Sequence, residues 1–179
     1  KDFKVELIDK SKREPYKAPN LISTGRALSL PDARGYAIRV GLSQLSGIDE
    51  KEISSIIENK PYLDLADFVY RSGASRPIVE NLVKVGAFDE LHKLSENNLN
   101  RRDLLLHLQD IYKINTSRGL QGQLTFDLTP PPLTSSGLPD LSQSEIVRNE
   151  VELLGIDISS HLLEFYGGFL NSVGAVKSS

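Results

Sequence analysis

The 179-residue chain contains no cysteine, no methionine and no tryptophan. Without cysteine there is no disulfide framework, no thiolate zinc site and no thiol nucleophile. No apolar run approaches the ~18 residues of a membrane-spanning helix, and the lysine-rich start has no apolar stretch behind it to form a signal peptide. A soluble, cytoplasmic protein without a membrane partner is the expectation. An initiating methionine is missing too: the sequence opens Lys1-Asp2-Phe3, which predicts a piece of a longer polypeptide. Hydrophobic residues make up 39% of the chain, enough for one or two small domains and too many for wholesale disorder.

An excess of positive charge is also lacking. Twenty-one Lys and Arg stand against 24 Asp and Glu, a net charge of −3, whereas a strongly basic nucleic-acid binder shows a cationic total and a stripe of cations. The charge is divided, however. Residues 1–40 carry nine basic and five acidic residues, 41–90 five and nine, 91–120 five and three, and 121–179 two and seven. Any grip on DNA must therefore be local, drawing on the basic arm (Lys10, Lys12, Arg13, Lys17, Arg26, Arg34, Arg39) and on isolated cations further on.

The arm, residues 1–31, holds Pro15, Pro19 and Pro31 among charges and one alternating run, Phe3 to Ile8, that reads as a short strand in an otherwise extended segment. From about Asp32 to Tyr112 the pattern is helical, in short pieces. Ile53, Ile56 and Ile57 follow Ser46-Gly47-Ile48-Asp49, and Leu65, Phe68 and Val69 follow the break at Pro61-Tyr62. Ile78, Val79, Leu82 and Val83 follow Ser72-Gly73-Ala74-Ser75 and stop at Gly86. Asn98 or Asn100 caps a longer helix with an apolar face of Leu104, Leu105, Leu108, Ile111 and Tyr112. Residues 116–141, with Gly119, Gly122, Pro130 to Pro132 and Pro139, read as a linker. Beyond it Ser142 to Glu145 is a capping box, Gly155 a helix stop, and Ser160 the cap of a final helix. The domains expected are thus an arm (1–31), a helical module (32–115), a linker (116–141) and a C-terminal helical segment (142–179).

A glycine turn leading into a helix start gathers unpaired backbone N–H groups and the positive end of the helix dipole at one spot, which suits a phosphate. Such contacts position a nucleic acid without reading its sequence. Ser46, Gly47 and Ile48 make the first such turn, but the following Asp49, with Glu52 three residues on, has capping-box spacing and would put a carboxylate where a phosphate would sit. Both readings of this turn stand: a weak phosphate site, or structural packing. In the second turn Ser75 is placed to cap and Pro77 suits the first helical turn. Arg76 beside that helix start either meets a phosphate or is a solvated side chain, and Arg39 and Lys84 complete the candidate DNA contacts.

Four pieces in order carry a resemblance: Ile38-Arg39-Val40-Gly41-Leu42, Gly47-Ile48, Leu65 to Arg71 (LADFVYR), and Leu82 to Asp89 (LVKVGAFD). Together they resemble the tandem helix-hairpin-helix region of bacterial C-family DNA polymerases, the DNA polymerase III alpha subunits and their error-prone relatives. Arg148 to His161 is similar to the stretch leading into that family's OB-fold domain, and the brief linker with the Arg101-Arg102-Asp103-Leu104-Leu105 helix resembles the error-prone branch more than the replicase. The resemblance implies a mainly α fragment of a template-directed nucleotidyltransferase, with the OB-fold itself absent. Its own task would be to bind duplex DNA non-specifically through hairpin amides and basic residues, in a parent devoted to damage-tolerant synthesis. The alternatives are a replicative alpha-subunit fragment and a protein-interaction platform with structural hairpins.

The magnesium ions that the resemblance implies for the parent need palm carboxylates, and nothing here matches that motif. The fragment is expected to carry no cofactor and no catalytic residue, with Asp49, Asp64, Asp67 and Asp89 serving as caps and solvated acids. The family also places a sliding-clamp peptide after the hairpins. Gln121-Gly122-Gln123-Leu124-Thr125-Phe126 follows its longer form, in which Leu124 and Phe126 would enter a clamp pocket while Gln121 bonds at the rim. The plainer reading is that Leu124 and Phe126 pin the linker to its own domain. His92 and His107 lie far from any carboxylate pattern of a metal site or triad, His161 sits where the resemblance implies a histidine near a helix start, and none of the three is expected to be catalytic.

Overall fold

The computed structural model describes residues 3–7, 36–118 and 132–174. The chain divides into two units, Lys1–Leu42 and Ser43–Ser179. In the first, strand β1 (Lys4–Leu7) pairs antiparallel with β2 (Tyr36–Arg39), Lys4 opposite Arg39 and Leu7 opposite Tyr36. The strand expected between Phe3 and Ile8 is present. Its partner lies in a stretch whose sequence reads as helical: Tyr36 and Ile38 favour a pleated conformation, and four residues are too few for their alternation to stand out against the helical pattern that follows. The rest of the basic arm lies outside the described residues.

The second unit is helical: α1 (Glu50–Glu58), α2 (Leu65–Arg71), α3 (Arg76–Lys84), α4 (Arg101–Arg118), α5 (Gln143–Leu154), a 3-10 turn (Leu162–Tyr166) and α6 (Gly167–Ser172). With the two-stranded ribbon of the first unit, this makes the chain mainly α. Each longer helix buries a stripe at three- and four-residue spacing: Ile53 and Ile56 from α1, Ile78, Val79, Leu82 and Val83 from α3, Leu104, Leu108 and Ile111 from α4, Val147 and Leu154 from α5. Phe68 of α2 joins them, edge-on to Tyr62 on one side and to Phe88 on the other at centroid distances of 4.7 and 5.0 Å, an arrangement favoured by ring quadrupoles.

The helix boundaries follow local chemistry. Asp49 caps α1, Asp64 caps α2, and Ser142 caps α5, the first and last as reciprocal capping boxes with Glu52 and Glu145. Asn100, not Asn98, caps α4: its Oδ1 accepts from the Asp103 N–H at 3.0 Å while Asp103 Oδ2 accepts from the Asn100 N–H at 3.0 Å. Gly86 turns the chain after α3 at φ +82°, and Gly155 ends α5 at φ +72°, backbone that glycine adopts without the Cβ penalty. The 3-10 turn is capped by His161, whose Nδ1 accepts from the Leu163 N–H at 3.1 Å, and not by Ser160 as expected. Asp157 Oδ2, accepting from the Leu162 N–H at 2.8 Å, completes that cap.

Residues 132–141, inside the stretch read as a linker, run extended over the start of α4. Asp103, 2% exposed, accepts from the Ser136 N–H at 2.8 Å and from the Ser136 hydroxyl. Asn100 Nδ2 donates to the Leu138 carbonyl at 2.8 Å, and Arg102 pairs with Glu145 at 3.1 Å. This returns α5 to the hairpin helices, where it packs against α3.

Candidate nucleic-acid interface

The first hairpin is the turn Leu45 to Asp49 entering α1. Gly47 holds φ +84° and faces Ile78 of α3, whose Cδ1 lies 3.9 Å from where a Cβ would be. Of the amides that the sequence singled out, those of Ser46 and Ile48 are engaged within the protein. The Ser46 N–H donates to the Leu153 carbonyl in the last turn of α5 at 2.7 Å, and the Ile48 N–H to the Leu45 carbonyl at 3.4 Å. The Asp49 N–H donates to Glu52 Oε2 at 3.2 Å, while Asp49 Oδ1 receives the Glu52 N–H at 2.7 Å.

The second hairpin is α2, the turn Ser72 to Ser75, and α3. Ser72 is fully buried, and its hydroxyl accepts from the Ala74 N–H at 3.1 Å. Gly73 takes φ +69°, and a Cβ there would come within 3.1 Å of the Ser55 hydroxyl of α1, so the turn lies against the first helix. Ser75 occupies the cap position of α3 but makes no side-chain cap bond; instead its N–H donates to Glu52 Oε1 at 2.8 Å. Glu52 thereby accepts from both hairpins. Burial raises its carboxyl, yet the hydrogen bonds from the Ser75 amide and hydroxyl and from the Asp49 amide hold it, on balance, below the ordinary carboxylate range.

Of the candidate cations, Arg76 stands at the first position of α3, half exposed, with Nε 2.8 Å from Glu80 and its guanidinium 5.2 Å from the Tyr112 ring centroid. It is thus a braced side chain, neither buried nor wholly solvated. Lys84 is partly buried in the last turn of α3, where a cation also complements the helix dipole. Arg39 is exposed at the end of β2 in the other unit. The structure therefore gathers Ser46, Gly47, Ile48, Ser75 and Arg76 around the starts of α1 and α3 and places Lys84 at the far end of α3, about 12 Å along the helix at 1.5 Å per residue.

A family model described as the helix-hairpin-helix motif matches residues 5–104. The chain belongs to the helix-hairpin-helix family. It is 30% identical over 155 residues to the error-prone DNA polymerase of Symbiobacterium thermophilum, covering 74% of this chain and 14% of that protein. The error-prone DNA polymerase of Corynebacterium diphtheriae is 26% identical over 132 residues, covering 71% and 13% respectively. The DNA polymerase III subunit alpha of Chlamydia muridarum is 27% identical over 180 residues, covering 92% and 14%. The chain thus spans about a seventh of the length of these curated relatives, and its resemblance to C-family polymerases holds along most of its own length.

Sequence reasoning missed the side chains that brace this helix-hairpin-helix unit. Arg101 donates through Nε and Nη2 to Asp89, the latter at 2.8 Å, and through Nη1 to the Lys84 carbonyl at 2.9 Å, closing the end of α3 onto the start of α4. Arg71 binds Asp67 at 2.6 Å and the Asn59 carbonyl at 2.9 Å, reaches the Pro61 carbonyl, and lies over the Tyr62 ring. Arg71 ends the LADFVYR piece and Arg101 opens the Arg101-Arg102-Asp103 run, and neither pattern points to the distant partner. Asp49 and Asp64 are helix caps as expected, whereas Asp67 and Asp89, read as caps or solvated acids, are ion-paired with Arg71 and Arg101. Among the described residues no three His, Asp or Glu side chains converge to hold a metal ion. Nor is any described helix long and apolar enough to cross a membrane. The candidate clamp peptide, Gln121, Leu124 and Phe126, lies outside the described residues.

Proposed function

We propose that this helix-hairpin-helix unit is part of a C-family, error-prone-type DNA polymerase, a nucleotidyltransferase, and that it holds duplex DNA weakly and without sequence preference. The observation that supports it most is the tandem hairpin itself, two glycine turns entering α1 and α3 side by side, in a chain similar to bacterial DNA polymerases. Arg76 at the start of α3, Lys84 at its end and Arg39 supply cationic contact to phosphates, a mode that carries no sequence information. Binding is weak because the amides of Ser46, Ile48, Asp49 and Ser75 are already used within the protein. Titration of labelled duplexes of unrelated sequence tests the reading: equal dissociation constants, micromolar or weaker at low salt, support it, and a clear preference for one sequence overturns it.

A second reading, a scaffold for protein contacts, is favoured by the same engaged amides, since that of Ser46 braces the first hairpin against α5 and that of Ser75 ties the second hairpin to α1. In that reading Leu124 and Phe126 capture the sliding clamp. Replacing both by alanine then abolishes clamp capture while leaving unfolding unchanged; undiminished capture contradicts it.

A further inference from the structure

We infer that the segment between α3 and α4 is an acid-released clasp: residues 92–98 are held in a strained conformation against the start of α2 by the neutral imidazole of His92, and protonating that ring lets them go. His92 Nε2 accepts from the Leu65 N–H at 3.1 Å, across 27 residues of sequence. Leu65 opens α2 and is fully buried, so no water reaches its amide while the ring is in place. A histidine nitrogen accepts only while it carries no proton. An imidazolium would set N–H against N–H, and the bond is lost outright.

The same segment stores the strain that its release relieves. Lys93 and Asn98 both take positive φ, +47° and +53°. Asparagine tolerates that region, but for lysine the Cβ meets backbone oxygen there, and such a conformation persists only where its surroundings impose it. The Asn97 side chain donates to the His92 carbonyl at 2.8 Å, the Asn97 N–H to the Lys93 carbonyl at 3.0 Å and the Leu99 N–H to the Leu94 carbonyl at 3.0 Å. These bonds close within the turns themselves. Outward, buried Leu94 and the His92–Leu65 bond anchor them.

The groups around the ring set when it opens. Burial is the largest influence and keeps His92 neutral to lower pH than an exposed histidine; Asp64, the cap of α2, pulls the other way, and His107 of α4 adds to burial. His107 is half-buried too, its charge disfavoured by burial and favoured by Asp110 and Asp64. Once residues 92–98 swing out, the ring takes a proton at the ordinary value, about 6.5. The closed form is therefore fully favoured above about pH 6.5, and loses ground by up to tenfold per pH unit as pH falls to the lower value of the closed ring. Acid thus loosens α2 at its start while leaving the Gly73 turn and α3 in place.

None of this depends on DNA, and NMR of the unaltered chain between about pH 8 and pH 5 tests it across the histidine range. Ring nitrogen shifts give the tautomer and titration of His92, and amide exchange, corrected for intrinsic rates, gives the opening of each residue. The neutral ring should carry its proton on Nδ1, leaving Nε2 to accept. Leu65, Leu94 and Leu99 should share one level of protection, below that of Val79 and Leu108 in the hairpin core, and should respond less than those two to low urea. Their protection should fall together below about pH 6.5, tenfold for each pH unit between that value and the measured titration of His92. In His92→Gln, whose side-chain oxygen accepts from Leu65 at any pH, the fall should vanish. A neutral ring protonated on Nε2, exchange at Leu65 that stays level while His92 titrates, or protection at Leu65 equal to that at Val79 would each overturn the inference, and all three are read on the unaltered protein. The same fall surviving in His92→Gln would overturn it as well.

Discussion

Replacing Asp103 by alanine should be among the most damaging single changes in this chain, and its cost can be worked from the structure. The carboxylate is 2% exposed and accepts three hydrogen bonds, from the Ser136 amide, the Ser136 hydroxyl and the Asn100 amide. Bonds to a charged acceptor contribute about 1.5–3 kcal/mol each, and loss of a helix cap about 1 kcal/mol, though such values do not add within one network. Ser136 itself is exposed, so water can replace part of what its donors lose. A net cost of about 3 kcal/mol follows, or a fall in Tm of roughly 6–12 °C for a chain of this size. Urea unfolding followed by circular dichroism measures the stability, and amide exchange at Ser136 reports whether residues 132–141 have come away. Burial alone would raise the Asp103 carboxyl, but the Ser136 and Asn100 bonds hold it below its ordinary value. A depressed carboxyl stabilises the fold above its unfolded pKa, and that contribution is lost as pH falls through the folded one. The unaltered protein should therefore lose this contribution only well into acid, and Asp103→Ala should lack that part of the acid transition. A cost below about 1 kcal/mol with Ser136 exchange unchanged would refute the reasoning.

Further outcomes are expected elsewhere. Gly86→Ala forces a Cβ onto the Arg101 guanidinium at φ +82°, so it should break the Arg101–Asp89 pair and cost about 2 kcal/mol in urea unfolding, from backbone strain and the lost bonds together. His92 Nε2 accepts from the Leu65 N–H at 3.1 Å, and burial lowers its pKa, helped by His107 and opposed by Asp64. Stability from this contact is present above the unfolded histidine pKa and is lost as pH falls through the lower folded value; His92→Ala should flatten stability against pH in that window. Glu150, 3% exposed, accepts from the Ile158 and Ser159 amides at 2.8 and 2.9 Å. Glu150→Ala should speed proteolysis between Gly155 and Ser160 while leaving exchange in α3 and α4 unchanged.

What was legible in the sequence is what neighbouring residues decide among themselves. The Asp49–Glu52 and Ser142–Glu145 boxes and the Gly86 and Gly155 stops each need only a few consecutive residues, and all occur where the pattern put them. The contacts that give those elements their roles join distant residues. Glu52 reaches Ser75, Ser46 reaches Leu153, Arg101 reaches Lys84 and Asp89, and Asp103 reaches Ser136, and no local pattern announces them. For the same reason Ser75 read as a side-chain cap, whereas its hydroxyl and N–H turn to Glu52. The proposal that Asp49 would crowd the first hairpin with negative charge was readable from spacing, but the reach of Glu52 to Ser75 was not.

The most direct measurement is the dependence of duplex affinity on salt. Each phosphate neutralised contributes a slope of about −0.9 in log K against log salt concentration. If Arg39, Arg76 and Lys84 carry the contact while Glu52 holds the Asp49 and Ser75 amides, the slope should be about −2 to −3 and should become shallower by about one for each of Arg76→Ala and Lys84→Ala. A slope indistinguishable from zero, or one that neither substitution changes, would contradict binding of DNA by this unit through those side chains.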